Sequence, residues 1–505
     1  MKRLFSVEPI VALYMLANVA GSILIQQYIY RKIWENETNS SYIENENSSN
    51  CYQNDSIYSK QQVVQEKSSH YFMTMNLVQF FPGLIITLVL GGVSDRYGRK
   101  LFVLLPSIGA LINSLANLAV AYFSWSLYIL FPSVILTACF GGPAALFAGA
   151  FAYVADVSSN KQKNMRMALL DMILGVMGGI GALSSGYYLK AAGFNWPFLT
   201  ITLINLANIV YIIFFFEESA QVPRTEQDQI SFSDKFKEIL SRIFIIFTSS
   251  DFRKCVQIGL LLLALSTFAL AEFGALGLYT LYELNAPLCW NEILIGAGSA
   301  TDLAIFLLSF CGVTIFSYHL GDIFIIFIGI LSFVGGMIMA FFATTTLLMF
   351  LVRLVSLFAF MPFPVLRSML SKSVLPSDQG ALFALVACLE SLSGTISTTI
   401  FNNVYAATVE QFAGFVFLLA ACLCLIPFGI LCDISADHML GLCCVAWKSP
   451  ALLGMLVSCY LQFSLTEYIL TIAPWVLRYS IMPFIDKLTD QLGQMKWECC
   501  CFHQS

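Results

Sequence analysis

Seven ionisable residues stand inside long apolar runs of this sequence: Asp171, Glu272, Glu283, Asp302, Arg353, Arg367 and Glu390. Charge in a bilayer is costly, so such residues face a cavity, a partner or a span end. The acids suit proton binding, because a proton that neutralises a carboxylate removes the charge that resists passage through a low-dielectric layer. The two arginines suit an anionic ligand group or a carboxylate partner, with structural pairing to Glu390 as the alternative. Glu272 and Asp302 are the deepest acids by their position in the runs. Glu283, Asp171 and Arg367 lie nearer run ends, where contact with the interface or a loop is the competing role. There is no nucleotide-binding loop, no His/Cys metal cluster and no nucleophile beside a base. The residues therefore point away from an enzyme, with no cofactor beyond protons as coupling ion.

A second group is compact. "GGVSDRYGRK", residues 91–100, packs four charges between two apolar runs, in a chain that is only 11% charged. Gly91 allows a helix to pack closely, and Gly98 permits a backbone angle that other residues resist. Asp95 suits the positive end of a neighbouring helix. Arg99 suits a carboxylate at the end of another span, for which Asp156 in "AYVADVS" is the candidate. The pattern Gly-x-x-x-Asp-Arg-x-Gly-Arg-Arg/Lys resembles the signature turn of the major facilitator superfamily. Gly91, Asp95, Arg96, Gly98, Arg99 and Asp156 are thus expected to form a cytosolic gate that holds two halves together and releases on opening. A plain positive anchor would need neither the aspartate nor the glycines.

The elements that position these residues follow from composition. The chain has 505 residues, 58% hydrophobic, with a mean hydropathy of +0.77, values that fit a polytopic membrane protein. The net charge of −5 and the absence of a basic patch argue against a nucleic-acid partner. A transmembrane helix needs about 20 mostly apolar residues. Twelve runs qualify: 7–28, 71–93, 101–122, 127–155, 167–189, 197–216, 256–282, 294–316, 322–343, 346–370, 381–407 and 411–432. The first is read as a span, not a removable signal peptide. The predicted fold is an all-α membrane protein, with six-helix bundles at 1–216 and 256–432 joined by a cytosolic loop at 217–255. Two such halves around a cavity is a carrier architecture. Residues 433–505 form a divergent tail containing a possible further membrane segment, and Cys499–Cys501 are candidates for lipidation.

Direction comes from the basic residues. With the amino terminus cytosolic, sixteen Lys and Arg face the cytosol and five the other side. The first non-cytosolic loop, 31–69, carries four crowded sequons at Asn36, Asn39, Asn47 and Asn54, which marks a glycosylated lumenal or extracellular segment. Cys51 and Cys289 share that oxidising side, either as a disulfide or as two free thiols.

"TLYELNAPLCW" (280–290), "VLRSMLSK" (365–372), "DQGALFALVACLESL" (378–392) and "MALLDMILGVMGGIGALSSGYYLKAAGF" (167–194) resemble solute carrier family 46. The likeness covers about residues 1–432. It implies proton-coupled symport of an organic anion or amphipathic conjugate, such as a steroid conjugate, bile acid or muramyl peptide, from the lysosomal lumen to the cytosol. A folate-type symporter at the plasma membrane is one alternative, and a non-transporting receptor or scaffold on the same fold is another. By the same resemblance, Arg367 is the span-ten arginine of proton-coupled substrate binding, and Asp171 takes a place held by Glu in folate-carrying members. Glu272 stands where those members have a histidine, which favours a different substrate. Cys51 and Cys289 match the family's disulfide pair. The tail after Cys432 departs from the family's short polar terminus.

Overall fold

Apolar runs of membrane length become helices because the bilayer offers backbone N–H and C=O groups no partner outside the chain. The computed structural model describes residues 7–38, 55–218, 252–284, 288, 290, 292–412 and 414–434, and regular structure among them is helical throughout. The first half contains α1 (Glu8–Thr38), α2 (Asp55–Tyr97), α3 (Arg99–Phe123), α4 (Leu130–Cys139), α5 (Gly142–Val157), α6 (Lys163–Ala192) and α7 (Asn195–Phe214). The second contains α8 (Phe252–Leu284), α9 (Glu292–Phe316), α10 (Asp322–Phe341), α11 (Thr346–Val355), α12 (Pro362–Ser373), α13 (Gln379–Phe412) and α14 (Phe415–Leu423). Among the described residues ten helices are long and apolar enough to cross a membrane. Two shorter apolar helices, Thr301–Phe316 and Thr346–Val355, occupy the eighth and tenth runs.

Helix also enters the 31–69 segment from both ends. Asn36 lies exposed in the last turn of α1. Asn39, Asn47, Asn54, Cys51 and Cys289 fall outside the described residues, as do 219–251 of the central loop and the tail from 435.

Two runs expected to be continuous are broken, at equivalent places in the two halves. The fourth parts between α4 and α5, where Gly141 (φ 96°) and Gly142 (φ 60°) precede Pro143. The positive φ values leave the helical region, and proline supplies no N–H to bridge the gap. The tenth parts between α11 and α12, just before Pro362 and Pro364. Groups freed by the breaks find side chains. Thr87 Oγ1 donates to the Gly141 carbonyl at 3.2 Å, and Ser332 Oγ donates to Val355 O at 2.6 Å and accepts from Phe358 N at 3.2 Å. Irregular backbone at membrane depth survives where protein supplies partners in this way.

The halves meet along α2, α5 and α6 on one side and α9, α12 and α13 on the other. Small residues permit the approach. A Cβ on Gly91 would stand 2.7 Å from the carbonyl oxygen of Gly380, so α2 and α13 touch backbone to backbone. Gly175 and Gly179 of α6 receive Phe306 and Leu303 of α9. The core of the first half, which includes Phe102, Phe151 and Tyr153, continues onto Phe383 and Ala384 of the second.

Candidate functional site

The 91–100 turn closes the basic-residue end of the molecule. Gly98 adopts φ 104° and lets the chain reverse from α2 into α3. Asp95 accepts hydrogen bonds from the backbone N–H groups of Gly380 (2.8 Å) and Ala381 (3.0 Å), the first turn of α13. A carboxylate there meets both unsatisfied donors and the positive end of the helix. Arg99, almost wholly buried, donates to Asp95 (2.7 Å), Ser94 (2.7 Å) and Asp156 (2.8 Å). One guanidinium thus binds α2 to α5 while its partner Asp95 reaches across to the other half. The side chain of Arg96 is outside the described residues.

Sequence reading missed the rest of this closure. Glu218 accepts from the N–H groups of Arg99 (2.6 Å) and Lys100 (3.0 Å), capping α3 from beyond α7. In the second half, Asp322 of "FSYHLGD" accepts from Asn164 and from Lys372, both at 2.7 Å. Lys163 donates to Ser371 at 3.0 Å. Asp322, at the start of α10, thereby ties α10 to α6 and α12.

Deeper in the seam, Arg367 joins three helices. Its Nη1 lies 2.6 and 2.8 Å from the two carboxylate oxygens of Asp171 on α6. Its Nε and Nη2 make a fork on Glu390 of α13, both at 2.9 Å. The guanidinium lies 4.3 Å above the Phe151 ring of α5 and 5.4 Å from Phe363. Asp171 and Arg367 therefore do not seek the interface or a loop. One cation faces two anions across the halves, an arrangement with a surplus carboxylate that a proton can neutralise.

Arg353 forms a second centre, wholly within the second half. Nη2 donates to Glu283 at 2.6 Å and Nε to Asp302 at 2.8 Å, with the ring of Trp290 at 5.6 Å. Its buried Nη1 has no hydrogen-bond partner. Burial within the protein does not follow position in the run here. Asp302 keeps 30% of its side chain exposed, whereas Glu283 keeps 2%. The cause is local: Trp290 folds back over the end of α8, its backbone N–H donating to the Glu283 carbonyl at 2.8 Å and its indole N–H to Thr346 at 3.1 Å. Glu272 is deep as expected, and its buried Oε2 has no hydrogen-bond partner.

With this geometry in view, the likeness to known proteins is decisive. The Major Facilitator Superfamily profile matches residues 57–398. The chain is 46% identical over 456 residues to the lysosomal proton-coupled steroid conjugate and bile acid symporter SLC46A3 of Gallus gallus, covering 90% of this chain and 97% of that protein. The chain belongs to solute carrier family 46 of the Major Facilitator Superfamily. This carrier is also 34% identical to the proton-coupled folate transporter of Rattus norvegicus, over 83% of this chain and 90% of that one. Its fold matches the crystal structure of the human organic anion transporter MFSD10 with a TM-score of 0.65 at 15% identity, covering 85% of this chain and 99% of that one. The carrier is a membrane transporter and not an enzyme.

Proposed function

We propose that this carrier is a proton-coupled symporter that takes organic anions, such as steroid conjugates, bile acids or muramyl peptides, from the lysosomal lumen to the cytosol. The observation that carries the reading is Arg367 held between Asp171 and Glu390 at the seam of the halves. Protonation of one carboxylate frees hydrogen-bonding capacity on the guanidinium for the anionic group of a substrate. The substrate then replaces the lost carboxylate as counter-charge, so the loaded site carries no more net charge than the resting one. With the 91–100 turn closed on the cytosolic side, the site waits to be loaded from the lumen, and release requires Asp95 to leave the α13 N-terminus. The lysosomal destination and the substrate class are supported by relatives bearing those names. Protons are the only coupling ion required, and no cofactor enters.

The test is uptake of a steroid sulfate, folate and a muramyl peptide by cells carrying the chain at their surface, at acid and neutral pH. Steroid sulfate uptake that rises at acid pH and collapses with a protonophore supports the reading. Uptake indifferent to both removes proton coupling, and uptake of folate alone points to the folate-type activity at the plasma membrane.

A further inference from the structure

A cavity of about 160 Å³ lies inside the first bundle, between α1, α2, α3, α4, α5 and α7, and is lined by none of the seam's charged residues. Its chemistry is unusual for a membrane interior. Carbonyl and amino groups of Asn and Gln side chains dominate the polar lining, and no Asp, Glu, Lys or Arg enters it. Most ligand pockets show the reverse, an apolar wall with a few polar groups. Two of the amides, Asn117 of α3 and Asn205 of α7, are 6% and 5% exposed. Among the described residues neither has a side-chain hydrogen-bond partner. Their polar atoms open onto the cavity, where a hydroxyl group or water can meet them.

We infer that this cavity is a subsite for an uncharged, hydroxyl-rich group of the transported molecule, of the kind a sugar ring presents. Each Asn offers a donor and an acceptor, matching a hydroxyl that both gives and takes a hydrogen bond. The absence of charge in the lining selects against carboxylate, sulfate and ammonium. A cavity of about 150 Å³ takes one six-membered ring, so the volume fits one ring and not a whole conjugate. Phe72 and Ile201 supply an apolar wall for the C–H faces of such a ring.

The location suits a divided ligand. Tyr14, at the cavity's inner wall, packs edge-on against Phe147 with ring centroids 6.1 Å apart. Phe147 stands one helical turn from Phe151, over whose ring Arg367 lies. A conjugate with its anionic group at Arg367 thus has the amide cavity alongside, in the neighbouring bundle. The inference deepens the anion-symport reading and rests on it.

The test uses the purified full-length chain in a detergent without a sugar headgroup. The apparent Kd of a steroid sulfate, and of the same sulfate carrying a neutral glucoside at its other end, is read from ligand-induced thermal stabilisation. Asn117→Leu and Asn205→Leu, which keep asparagine's branched shape, should weaken the glucosylated sulfate relative to the plain sulfate about tenfold, the loss expected of one buried hydrogen bond. Asn205→Ser gives the same comparison should leucine prevent folding, and Leu206→Ala on the exposed face of α7 should leave the ratio unchanged. An unaltered ratio in the asparagine variants, with both probes still binding, overturns the subsite and leaves the amides to water. A wild-type chain stabilised by neither probe instead sinks the anion reading itself, and the subsite with it.

Discussion

Arg367 of the second half and Asp171 of the first form a cross-seam pair in which one guanidinium nitrogen lies within 2.8 Å of both carboxylate oxygens. Glu390 holds the other edge of the same guanidinium, so removing Asp171 leaves the cation paired and the fold intact. Asp171→Asn should lower anion uptake at acid pH about tenfold, the rate equivalent of about 1.4 kcal/mol, and flatten its dependence on pH. Arg367→Lys should cost more, because an ammonium cannot fork onto Glu390 and bridge to Asp171 at once. Uptake assays normalised to surface abundance decide the matter. An unchanged pH profile in Asp171→Asn would retire this carboxylate from coupling.

Gly91 sets how closely α2 and α13 can approach. An added methyl would stand 2.7 Å from Gly380 O, well inside normal contact, and both groups are helical backbone with little room to yield. Gly91→Ala should keep the chain folded and delivered to the membrane, because the added methyl meets only the single α2–α13 contact. The closed α2–α13 contact, however, would be strained, and turnover should fall at least tenfold. Wild-type uptake by Gly91→Ala would show that the gate closes by some other contact.

Arg353 and Glu283 predict a stability effect in place of a transport effect. Both are buried, and removing one strands the other: breaking such a pair costs about 3–5 kcal/mol. Arg353→Ala should therefore lower the melting temperature sharply. Asp302→Asn should be milder, since its side chain is 30% exposed and the Glu283 pair remains. Thermal unfolding of the purified variants measures both, and the opposite order would contradict the assignment.

How much of this was legible in the residues depends on how local each cause was. The helices were, because bilayer thickness imposes a length and an apolar composition that hydropathy reads directly. Asp95, Arg99 and Asp156 were, because charges and glycines so dense in an apolar chain have few alternatives. The breaks in the fourth and tenth runs were not: Gly141, Gly142 and the segment before Pro362 lie in sequence that stays apolar throughout. Glu218 escaped notice because it caps a helix that begins 119 positions earlier. The burial of Glu283 was hidden by Trp290, whose backbone N–H returns to the Glu283 carbonyl in a way no periodicity records. Asn117 and Asn205 each look like a stray polar residue in a span, and only the packing of α3 against α7 makes them neighbours.

Glu272 offers the sharpest separation of folding from proton chemistry. It lies twelve residues, about 18 Å, from the end of α8, and its Oε2 is buried with no hydrogen-bond donor. A pair of the Arg353 kind would make substitution destabilising, but no salt bridge to Glu272 occurs among the described residues. Glu272→Gln keeps the shape of the neutral acid and cannot release a proton, so the melting temperature should stay within the few degrees that about 1 kcal/mol represents. If the acid carries a coupling proton, uptake at acid pH should persist while its fall toward neutral pH disappears. A variant that folds normally and reproduces the full wild-type pH profile would show that Glu272 is a buried acid with no part in coupling, and leave that work to Asp171 and Glu390.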